Sequence, residues 1–333
     1  MEQPDRIFSK RRPVRTLTEV AEHGTVPYGG RSVARKSVMR DLRGVIPPVI
    51  TPFTESGDVD YAALVANLAR WNRTALAGYL ILGSNSEFVY LSDDEKIRVL
   101  EVAREHIPAD KVMIAGTGCE ATHATVALTR RAAAIGADGV MIVTPAYYKP
   151  QMRPQALIEH YQRAADASSL PVFLYNVPPF TGIVLDPDTV ARLAEHDNII
   201  GMKDSAGNLA VFAEYVRMTP ADFLLFVGSG PVFLPALALG ARGGILAFAN
   251  CAPEACLNLY ALFRMEKLDE AREEQLRLLP AMAAVTTRFG IGGLKAAMDM
   301  LEFRGGWPRP PLLAPAGDER VQIRRALEES GLL

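Results

Sequence analysis

The sequence has little of several features that would point to particular classes of protein. Its 333 residues include only three cysteines, an odd number, which does not fit a disulfide framework and indicates a reducing compartment such as the cytoplasm. These cysteines share no metal-ligand spacing with the five histidines, so no metal site is predicted. The formal net charge of -2 gives no electrostatic reason to bind nucleic acid or an acidic membrane. No apolar run approaches the roughly 20 residues that a membrane-spanning helix needs.

The first 43 residues differ from the remainder of the chain. They contain ten Lys and Arg residues against five Asp and Glu residues, and they show no sustained apolar period. This composition is typical of a loosely ordered basic extension, and the apolar stretch of a secretory signal is missing. A mitochondrial targeting segment is the other interpretation. The acidic residues Glu2, Asp5, Glu19 and Glu22 stand against it, because such peptides are poor in acids.

Beyond residue 43, short apolar runs alternate with longer amphipathic segments. Most of the runs are rich in Val, Ile and Leu and are flanked by Gly or Pro, which is typical of parallel strands buried on both faces. The eight predicted strands are residues 45–50, 78–82, 112–115, 139–143, 172–175, 199–202, 223–227 and 244–249. The segments between them contain helix signals. Ser92 opens a capping box, Asp186 precedes a proline at the first helical position, and Gly136 and Gly240 end helices.

Eight strands, each followed by a helix, predict a (β/α)8 or TIM barrel of the α/β class. A doubly wound open sheet is the alternative, but no glycine-rich dinucleotide fingerprint follows an early strand. More helix follows than a minimal barrel needs, in residues 253–264, 268–279, 281–288 and 321–329. We therefore expect a basic N-terminal extension over residues 1–43, a barrel over residues 44–260 and a C-terminal helical region over residues 261–333.

The C-terminal ends of the strands are the expected position of an active site in this fold. The predicted strand ends contain no histidine, no pair of carboxylates and no cysteine in nucleophile position, so they lack the parts for metal-dependent hydrolysis or a Ser-His-Asp triad. They contain one lysine, Lys203, together with tyrosines, small polar residues and glycine: Thr51, Ser84, Asn85, Tyr147, Tyr148, Tyr175, Ser205 and Gly228. A lysine that is desolvated there is a nucleophile towards carbonyl groups and can form a Schiff base.

Each of these residues has a simpler interpretation when it is taken alone. Lys203 would extend its ammonium from the strand end to solvent, and Tyr175 would be a core tyrosine with a bonded hydroxyl. Tyr147 and Tyr148 would pack within a loop or at a subunit interface, and residues 83–87 would form a simple turn. The occurrence of all of them at strand ends favours the functional interpretation.

These motifs resemble those of the dihydrodipicolinate synthase / N-acetylneuraminate lyase family of class I, Schiff-base aldolases. The resemblance covers the chain from about Gly44 to the C-terminus and rests on residues 47–53, 83–87, 144–148, 174–178, 181–182 and 201–205. Within the family, the chain most resembles the aldolases that split 4-hydroxy-2-oxoglutarate, in residues 83–85, 118–120, 147–148, 201–205 and 284–291.

The resemblance implies a role for each candidate residue. Lys203 forms the imine with C2 of a 2-oxo acid, Tyr175 relays protons, and Ser84 links Tyr175 to Tyr147 or Tyr148 of a neighbouring subunit. The implied substrate-binding residues are Ser84, Asn85, Thr51, Ser205, Gly228 and Tyr148. No metal or organic cofactor is implied beyond the covalent imine. The implied partners are a small 2-oxo acid and further copies of the chain, in a homotetramer that is a dimer of dimers.

Two positions depart from the family pattern. Ser86 replaces the usual glycine of the carboxylate loop, and Phe180 stands where dihydrodipicolinate synthases have an arginine for the carboxylate of the second substrate. We therefore expect a pyruvate-dependent lyase that cleaves 4-hydroxy-2-oxoglutarate to pyruvate and glyoxylate. The alternatives are a dihydrodipicolinate synthase and a dehydratase or aldolase of 2-keto-3-deoxy sugar acids. From a different class, the alternative is a catalytically silent barrel that serves as a binding or regulatory protein.

Overall fold

The computed structural model describes Met39 and residues 41–333. The predicted basic extension, residues 1–43, therefore lies almost entirely outside the described residues. Within the described part of the chain, no helix combines the length and the apolar character that a membrane span would need.

Eight parallel strands form one sheet in the order β1-β8-β7-β6-β5-β4-β3-β2. The strands are β1 (Gly44–Ile46), β2 (Gly78–Ile81), β3 (Val112–Gly116), β4 (Gly139–Val143), β5 (Val172–Asn176), β6 (Ile199–Asp204), β7 (Leu224–Val227) and β8 (Gly243–Ile245). The two ends of this order meet. The amide of Leu80 donates to the carbonyl of Pro47 at 3.0 Å, and the amide of Val49 donates to the carbonyl of Leu80 at 2.9 Å. The sheet thus closes into a barrel, which confirms the predicted fold.

Two of the strands are three residues shorter than predicted. Strand β1 ends at Ile46 rather than at residue 50, because Pro47 and Pro48 have no N–H group to continue the ladder. Strand β8 ends at Ile245, since the chain turns into a 3₁₀ helix over Ala247–Asn250. In both places the chain leaves the sheet earlier than the apolar pattern indicates.

The helices of the described residues surround the barrel and continue beyond it. They are α1 (Tyr61–Trp71), α2 (Asp93–His106), α3 (Thr122–Ile135), α4 (Pro154–Asp166), α5 (Pro178–Thr181), α6 (Pro187–Ala194), α7 (Leu209–Met218), α8 (Phe233–Leu239), α9 (Pro253–Arg264), α10 (Leu268–Met282), α11 (Gly290–Met300) and α12 (Gly317–Glu329). The predicted helix signals are confirmed. Ser92 and Glu95 form the capping box of α2, and the Asp186 side chain caps α6. Gly136 and Gly240 end α3 and α8 with φ angles of 99° and 116°.

The C-terminal helices differ from the prediction in two ways. Helix α10 continues through Pro280 to Met282 and leads into a π-helical turn, Ala283–Arg288, where the sequence predicts two separate segments. The predicted helical segments do not include α11, whose first turn contains Gly290, Gly292 and Gly293. Packing explains one of these glycines, since a Cβ atom at Gly292 would lie 2.5 Å from the carbonyl oxygen of Leu313.

Separate apolar clusters fill the barrel and surround it. The cluster inside the barrel includes Ile46, Leu80, Ile114, Met141, Phe173, Tyr175, Leu224, Phe226 and Ile245. The larger cluster lies between the outer face of the sheet and the helices. The strands are therefore buried on both faces, as their continuous apolar pattern predicts, and the loops at the strand ends are the places left for polar chemistry.

Candidate active site

Lys203 lies near the C-terminal end of β6 and is 2% exposed. Its ammonium lies over the ring of Tyr175, 4.3 Å from the ring centroid, and the two residues are register partners on β6 and β5. In the described part of the chain, no carboxylate forms an ion pair with this ammonium. The interpretation in which Lys203 extends into solvent is therefore wrong.

A hydrogen bond connects Tyr175 to a residue on the other side of the barrel mouth. The Ser84 hydroxyl donates to the phenol oxygen of Tyr175 at 3.3 Å. Ser84 begins a 3₁₀ turn, Ser84–Ser86, that follows β2, and β3 and β4 separate β2 from β5 in the sheet. Lys203, Tyr175 and Ser84 thus form a line of contacts from amine to ring to hydroxyl, in which the Tyr175 phenol is the candidate general acid or base.

The Ser84–Ser86 turn lies between two residues with positive φ. Leu82 has a φ of 62° and Glu87 a φ of 54°, a conformation that residues other than glycine rarely adopt and that is found preferentially at functional sites. Ser86, in the place of the family glycine, does not have a positive φ. Its hydroxyl donates to the carbonyl of Val49 at 2.5 Å, so serine fits this position without backbone strain.

Free backbone amides lie at the start of this turn. The amides of Ser86 and Glu87 donate to the carbonyls of Gly83 and Ser84 and close the turn. Those of Ser84 and Asn85 donate to no acceptor among the described residues. Adjacent free amides are groups that bind anions such as a carboxylate, which is the contact that the resemblance implies for this loop.

Two buried hydroxyls at other strand ends have no hydrogen-bond partner among the described residues. One belongs to Thr51, which follows β1, and the other to Thr144, which follows β4. A buried hydroxyl without a partner is costly, so such groups indicate where a water molecule or a ligand completes the bonding. Thr51 is among the predicted substrate-binding residues, whereas Thr144 is not.

Gly228, which follows β7, lies against Lys203 and Ser205. A Cβ atom at Gly228 would lie 1.9 Å from the Ser205 hydroxyl oxygen and 2.9 Å from Cε of Lys203. Real Cβ atoms do not approach other atoms so closely, so any other residue here would displace the lysine or the serine. The structure therefore brings two of the predicted substrate-binding residues, Ser205 and Gly228, next to Lys203.

Tyr147 and Tyr148 follow β4 and are not part of this cluster. Their side chains are 78% and 67% exposed, and their rings contact each other edge to face with centroids 5.0 Å apart. Neither phenol forms a hydrogen bond with Ser84 or Tyr175 within the residues that the structure describes. The role predicted for Tyr147 or Tyr148 therefore requires a second copy of the chain.

Glu120, for which the sequence predicts no role, holds the backbone before the tyrosine pair. The Glu120 carboxylate accepts hydrogen bonds from the amides of Ala146 and Tyr147, each at 2.9 Å. Glu120 follows β3 and the tyrosines follow β4, and these strands are neighbours in the barrel. In the sequence, Glu120 is recognisable only as an acidic residue beyond a strand end. Many loops contain such a residue, so its position does not indicate this role.

Asp204, the neighbour of Lys203 in the chain, connects β6 to β5. Its carboxylate accepts a 2.7 Å hydrogen bond from the Asn176 side chain, whose oxygen accepts from the amide of Leu185 at 3.0 Å. Burial raises the pKa of the Asp204 carboxyl, and the hydrogen bond from Asn176 opposes this rise. Among the described residues, Asp204 is thus a partner of Asn176 rather than an ion-pair partner of Lys203.

Comparison with known proteins gives extensive matches. The chain matches the model of the dihydrodipicolinate synthetase family over residues 41–330. A 4-hydroxy-tetrahydrodipicolinate synthase of Methanopyrus kandleri is 35% identical over 294 residues, which cover 88% of this chain and 97% of that protein. A protein of Emericella nidulans, named a probable mitochondrial 4-hydroxy-2-oxoglutarate aldolase, is 32% identical over 292 residues, which cover 86% of this chain and 94% of that protein.

Solved structures of the same family have the same fold. The crystal structure of YagE, a prophage protein of E. coli K12 from the dihydrodipicolinic acid synthase family, contains pyruvate. It matches this chain with a TM-score of 0.82 at 29% identity, over 88% of this chain and 99% of YagE. A likeness of this extent, on a barrel with a buried lysine in its sixth strand, shows that the chain belongs to the dihydrodipicolinate synthetase family and is a lyase.

Proposed function

We propose that the protein cleaves 4-hydroxy-2-oxoglutarate to pyruvate and glyoxylate through a Schiff base on Lys203. The observation that supports the lysine chemistry is the line of contacts at the barrel mouth. Lys203 is buried with its ammonium 4.3 Å from the ring centroid of Tyr175, and the Tyr175 oxygen accepts a hydrogen bond from Ser84. Binding of pyruvate by the family member YagE agrees with this assignment.

Imine formation uses the amine and the phenol in turn. The unprotonated amine of Lys203 adds to the C2 carbonyl of the substrate and forms a carbinolamine. Tyr175 gives its proton to the C2 hydroxyl, which leaves as water, and the protonated imine remains. The Ser84 hydroxyl holds the phenol oxygen in place and stabilises the phenolate that this step produces.

Cleavage of the C3–C4 bond follows. The C4 hydroxyl gives its proton to the Tyr175 oxygen, C4 leaves as the aldehyde carbon of glyoxylate, and the electron pair of the broken bond enters the imine to form an enamine. Tyr175 then gives this proton to C3, which forms the pyruvyl imine. Water adds to C2 as it gives a proton to the Tyr175 phenolate, and the resulting carbinolamine collapses to pyruvate and the free amine of Lys203. Throughout the cycle, the amides of Ser84 and Asn85 hold the C1 carboxylate.

Phe180 favours this substrate over the aspartate semialdehyde that dihydrodipicolinate synthases use. Phe180 lies in α5 with its side chain exposed, and a phenyl ring cannot make the bidentate contact that an arginine makes with a carboxylate. Loss of a charge-assisted hydrogen bond costs about 1.5–3 kcal/mol, or roughly 10- to 150-fold in kcat/KM. Ser205, which lies beside Lys203, is a small donor that suits a compact aldehyde such as glyoxylate.

Condensation of pyruvate with aspartate semialdehyde is the second candidate function. It is favoured by relatives such as the 4-hydroxy-tetrahydrodipicolinate synthase of Methanopyrus kandleri, at 35% identity. The two candidates share the imine on Lys203 and differ in the second substrate, so one protein preparation can be assayed for both.

Trapping the imine tests the lysine chemistry. Sodium borohydride added with pyruvate should increase the mass of the peptide that contains Lys203 by one reduced pyruvyl group. Lys203→Ala, which removes the amine, is the control and should show no adduct. A label on another peptide of the wild-type protein, or no label, would contradict the assignment.

A comparison of kcat/KM for the two reactions tests the substrate. Cleavage of 4-hydroxy-2-oxoglutarate should be faster than condensation with aspartate semialdehyde, and the opposite order would refute the substrate while leaving the Schiff base in place. Phe180→Arg should shift the ratio towards condensation. Phe180→Ala is the matched control, because it removes the ring without adding a charge.

We also infer that the protein forms a homo-oligomer, in which Tyr147 or Tyr148 reaches Ser84 of a neighbouring copy. The exposure of both rings, at 78% and 67%, supports this arrangement. The protein should sediment as a dimer or a larger assembly, and a fully active monomer would contradict a shared site.

A further inference from the structure

A second buried lysine lies behind the turn that we propose to bind the substrate carboxylate. Lys295, on α11, is 1% exposed, and its ammonium is 2.5 Å from Oε1 of Glu87, which is fully buried. Glu87 ends the Ser84–Ser86 turn with its φ of 54°. A residue with this backbone conformation needs contacts that hold it in place, and the buried ion pair of the Glu87 side chain is such a contact.

The Lys295 ammonium has further partners besides the Glu87 carboxylate of its ion pair. It donates to the carbonyls of Thr51 at 2.8 Å and of Trp307 at 2.7 Å, and it lies over the ring of Phe53 with 4.5 Å to the centroid. One carboxylate and two carbonyls thus surround an ammonium that has three N–H groups. Burial lowers the pKa of Lys295 to about 8, and the charge of Glu87 opposes this change. Lys295 is therefore a bonded cation rather than a second nucleophile.

The second carboxylate oxygen of Glu87 connects to another ion pair. Oε2 of Glu87 accepts from the amide of Arg309 at 2.7 Å. The Arg309 guanidinium binds both oxygens of Glu95 at 2.8 and 2.6 Å, and it also donates to the carbonyls of Gly57 and Tyr90. Two cations and two anions thus alternate behind the turn, and their formal charges balance.

Lys295 connects the two strand ends on which the proposed carboxylate site depends. Through Thr51 it holds the segment that follows β1, and through Glu87 it holds the turn that follows β2. The Thr51 hydroxyl is buried and has no partner among the described residues. A shift of either segment would move the free amides of Ser84 and Asn85 relative to the amine of Lys203.

We propose that Glu87 and Lys295 are positioning residues, whose ion pair holds the Ser84–Ser86 turn where its amides meet the carboxylate of the 2-oxo acid. This proposal rests on the proposed function, in which that turn binds the C1 carboxylate. Neither side chain touches the substrate. The pair therefore acts on affinity for the carboxylate and not on the reactivity of the amine.

A pair of ketones separates this role from a general contribution to folding. Pyruvate has the carboxylate, whereas its methyl ester is neutral and still has the carbonyl that Lys203 attacks. The measured quantity is the ketone concentration that gives half-maximal borohydride trapping on the Lys203 peptide. If the turn is out of place, the half-saturating concentration of pyruvate should rise and that of the methyl ester should stay the same.

Glu87→Gln is the main variant, because glutamine keeps the shape and an acceptor for the Arg309 amide but removes the charge. We expect its half-saturating pyruvate concentration to rise by about tenfold or more, as for the loss of a charge-assisted contact. The value for the methyl ester should stay within about twofold, as should the trapping rate at saturating ketone. Glu214→Gln is the matched control, because it breaks an exposed ion pair with Arg217. It should leave the half-saturating concentrations of both ketones unchanged.

A double variant keeps the test valid if Glu87→Gln does not fold with an unpaired buried ammonium. Glu87→Gln combined with Lys295→Met leaves no buried charge at the pair, and such replacements are tolerated in other proteins. We expect the same selective loss for pyruvate. The positioning role would be overturned if, in whichever variant folds, the half-saturating concentrations of both ketones rise equally or neither of them changes. If the wild-type protein itself traps no pyruvate, the Schiff-base proposal fails and this inference fails with it.

Discussion

Gly228→Ala should displace the Lys203 amine, which we propose to be the nucleophile, without a change in backbone conformation. The new Cβ atom would lie 2.9 Å from Cε of Lys203 and 1.9 Å from the hydroxyl oxygen of Ser205, while ordinary contacts of this kind begin at 3.4 Å. The φ of Gly228 does not lie in the left-handed region, so alanine adds no backbone strain. The effect on activity should therefore come from displaced side chains.

The distances set the size of the expected effect. Cε of Lys203 must move by at least 0.5 Å, the difference between 3.4 and 2.9 Å, and the Ser205 hydroxyl must leave its position altogether. A misplacement of about 1 Å at a reacting group costs about 100-fold in rate. We expect kcat/KM for 4-hydroxy-2-oxoglutarate cleavage to fall by about 10- to 100-fold, which corresponds to about 1.4–2.7 kcal/mol of transition-state stabilisation.

The assay compares steady-state cleavage and thermal unfolding for a set of matched variants. Gly317→Ala makes the same chemical change where a Cβ atom meets nothing within 4 Å, so its activity should stay within about twofold of the wild type. The double variant Ser205→Gly/Gly228→Ala removes the clash with serine and keeps the contact of the new Cβ atom with Lys203, and Ser205→Gly alone is its reference. The double variant should be about 10-fold or more less active than Ser205→Gly.

Two results would refute this reasoning. One is a folded Gly228→Ala protein that retains at least about half of the wild-type activity, because the lysine would then tolerate the displacement. The other is a double variant as active as Ser205→Gly alone, because the loss in Gly228→Ala would then come from the serine and not from the amine of Lys203.

Three further predictions follow from single contacts. Tyr175→Phe keeps the ring and removes the hydroxyl, so kcat should fall by about 10²–10⁴-fold. A change in kcat below about threefold would show that Tyr175 is only a core tyrosine. Glu120→Ala should lower kcat and weaken subunit association, measured by sedimentation, because the amides of Ala146 and Tyr147 lose their acceptor. Glu120→Gln keeps an acceptor and should have the smaller effect. Arg309 holds the pKa of Glu95 at about 2, below its usual value of 4.5. The contribution of this pair to the free energy of unfolding is therefore complete above about pH 4.5 and is lost as the pH falls towards 2. Urea unfolding of Arg309→Leu should depend less on pH in that range than that of the wild type, and equal dependence would contradict the assignment.

The order and type of the elements could be predicted because they depend on local patterns. Strands covered on both faces need continuous apolar runs, and helices that end in a left-handed residue need glycine, as at Gly136 and Gly240. The eight runs and the helices between them predict the barrel, and the barrel predicts that chemistry lies at the strand ends. Lys203 could be selected in the same way, as the one lysine at the predicted strand ends.

The sequence by itself thus determined the fold and the family and selected Lys203 as the candidate nucleophile, whereas the tertiary structure decided which residues lie around that lysine and around the turn after β2. The bond from Lys295 to the Thr51 carbonyl spans 244 residues, and the ion pair of Glu95 with Arg309 spans 214. The Glu120 carboxylate likewise reaches the amides beyond a neighbouring strand. Closure of the sheet and the register of its strands bring these groups together, and neither leaves a periodic pattern in the residues concerned. Their partners therefore become visible only in the folded chain.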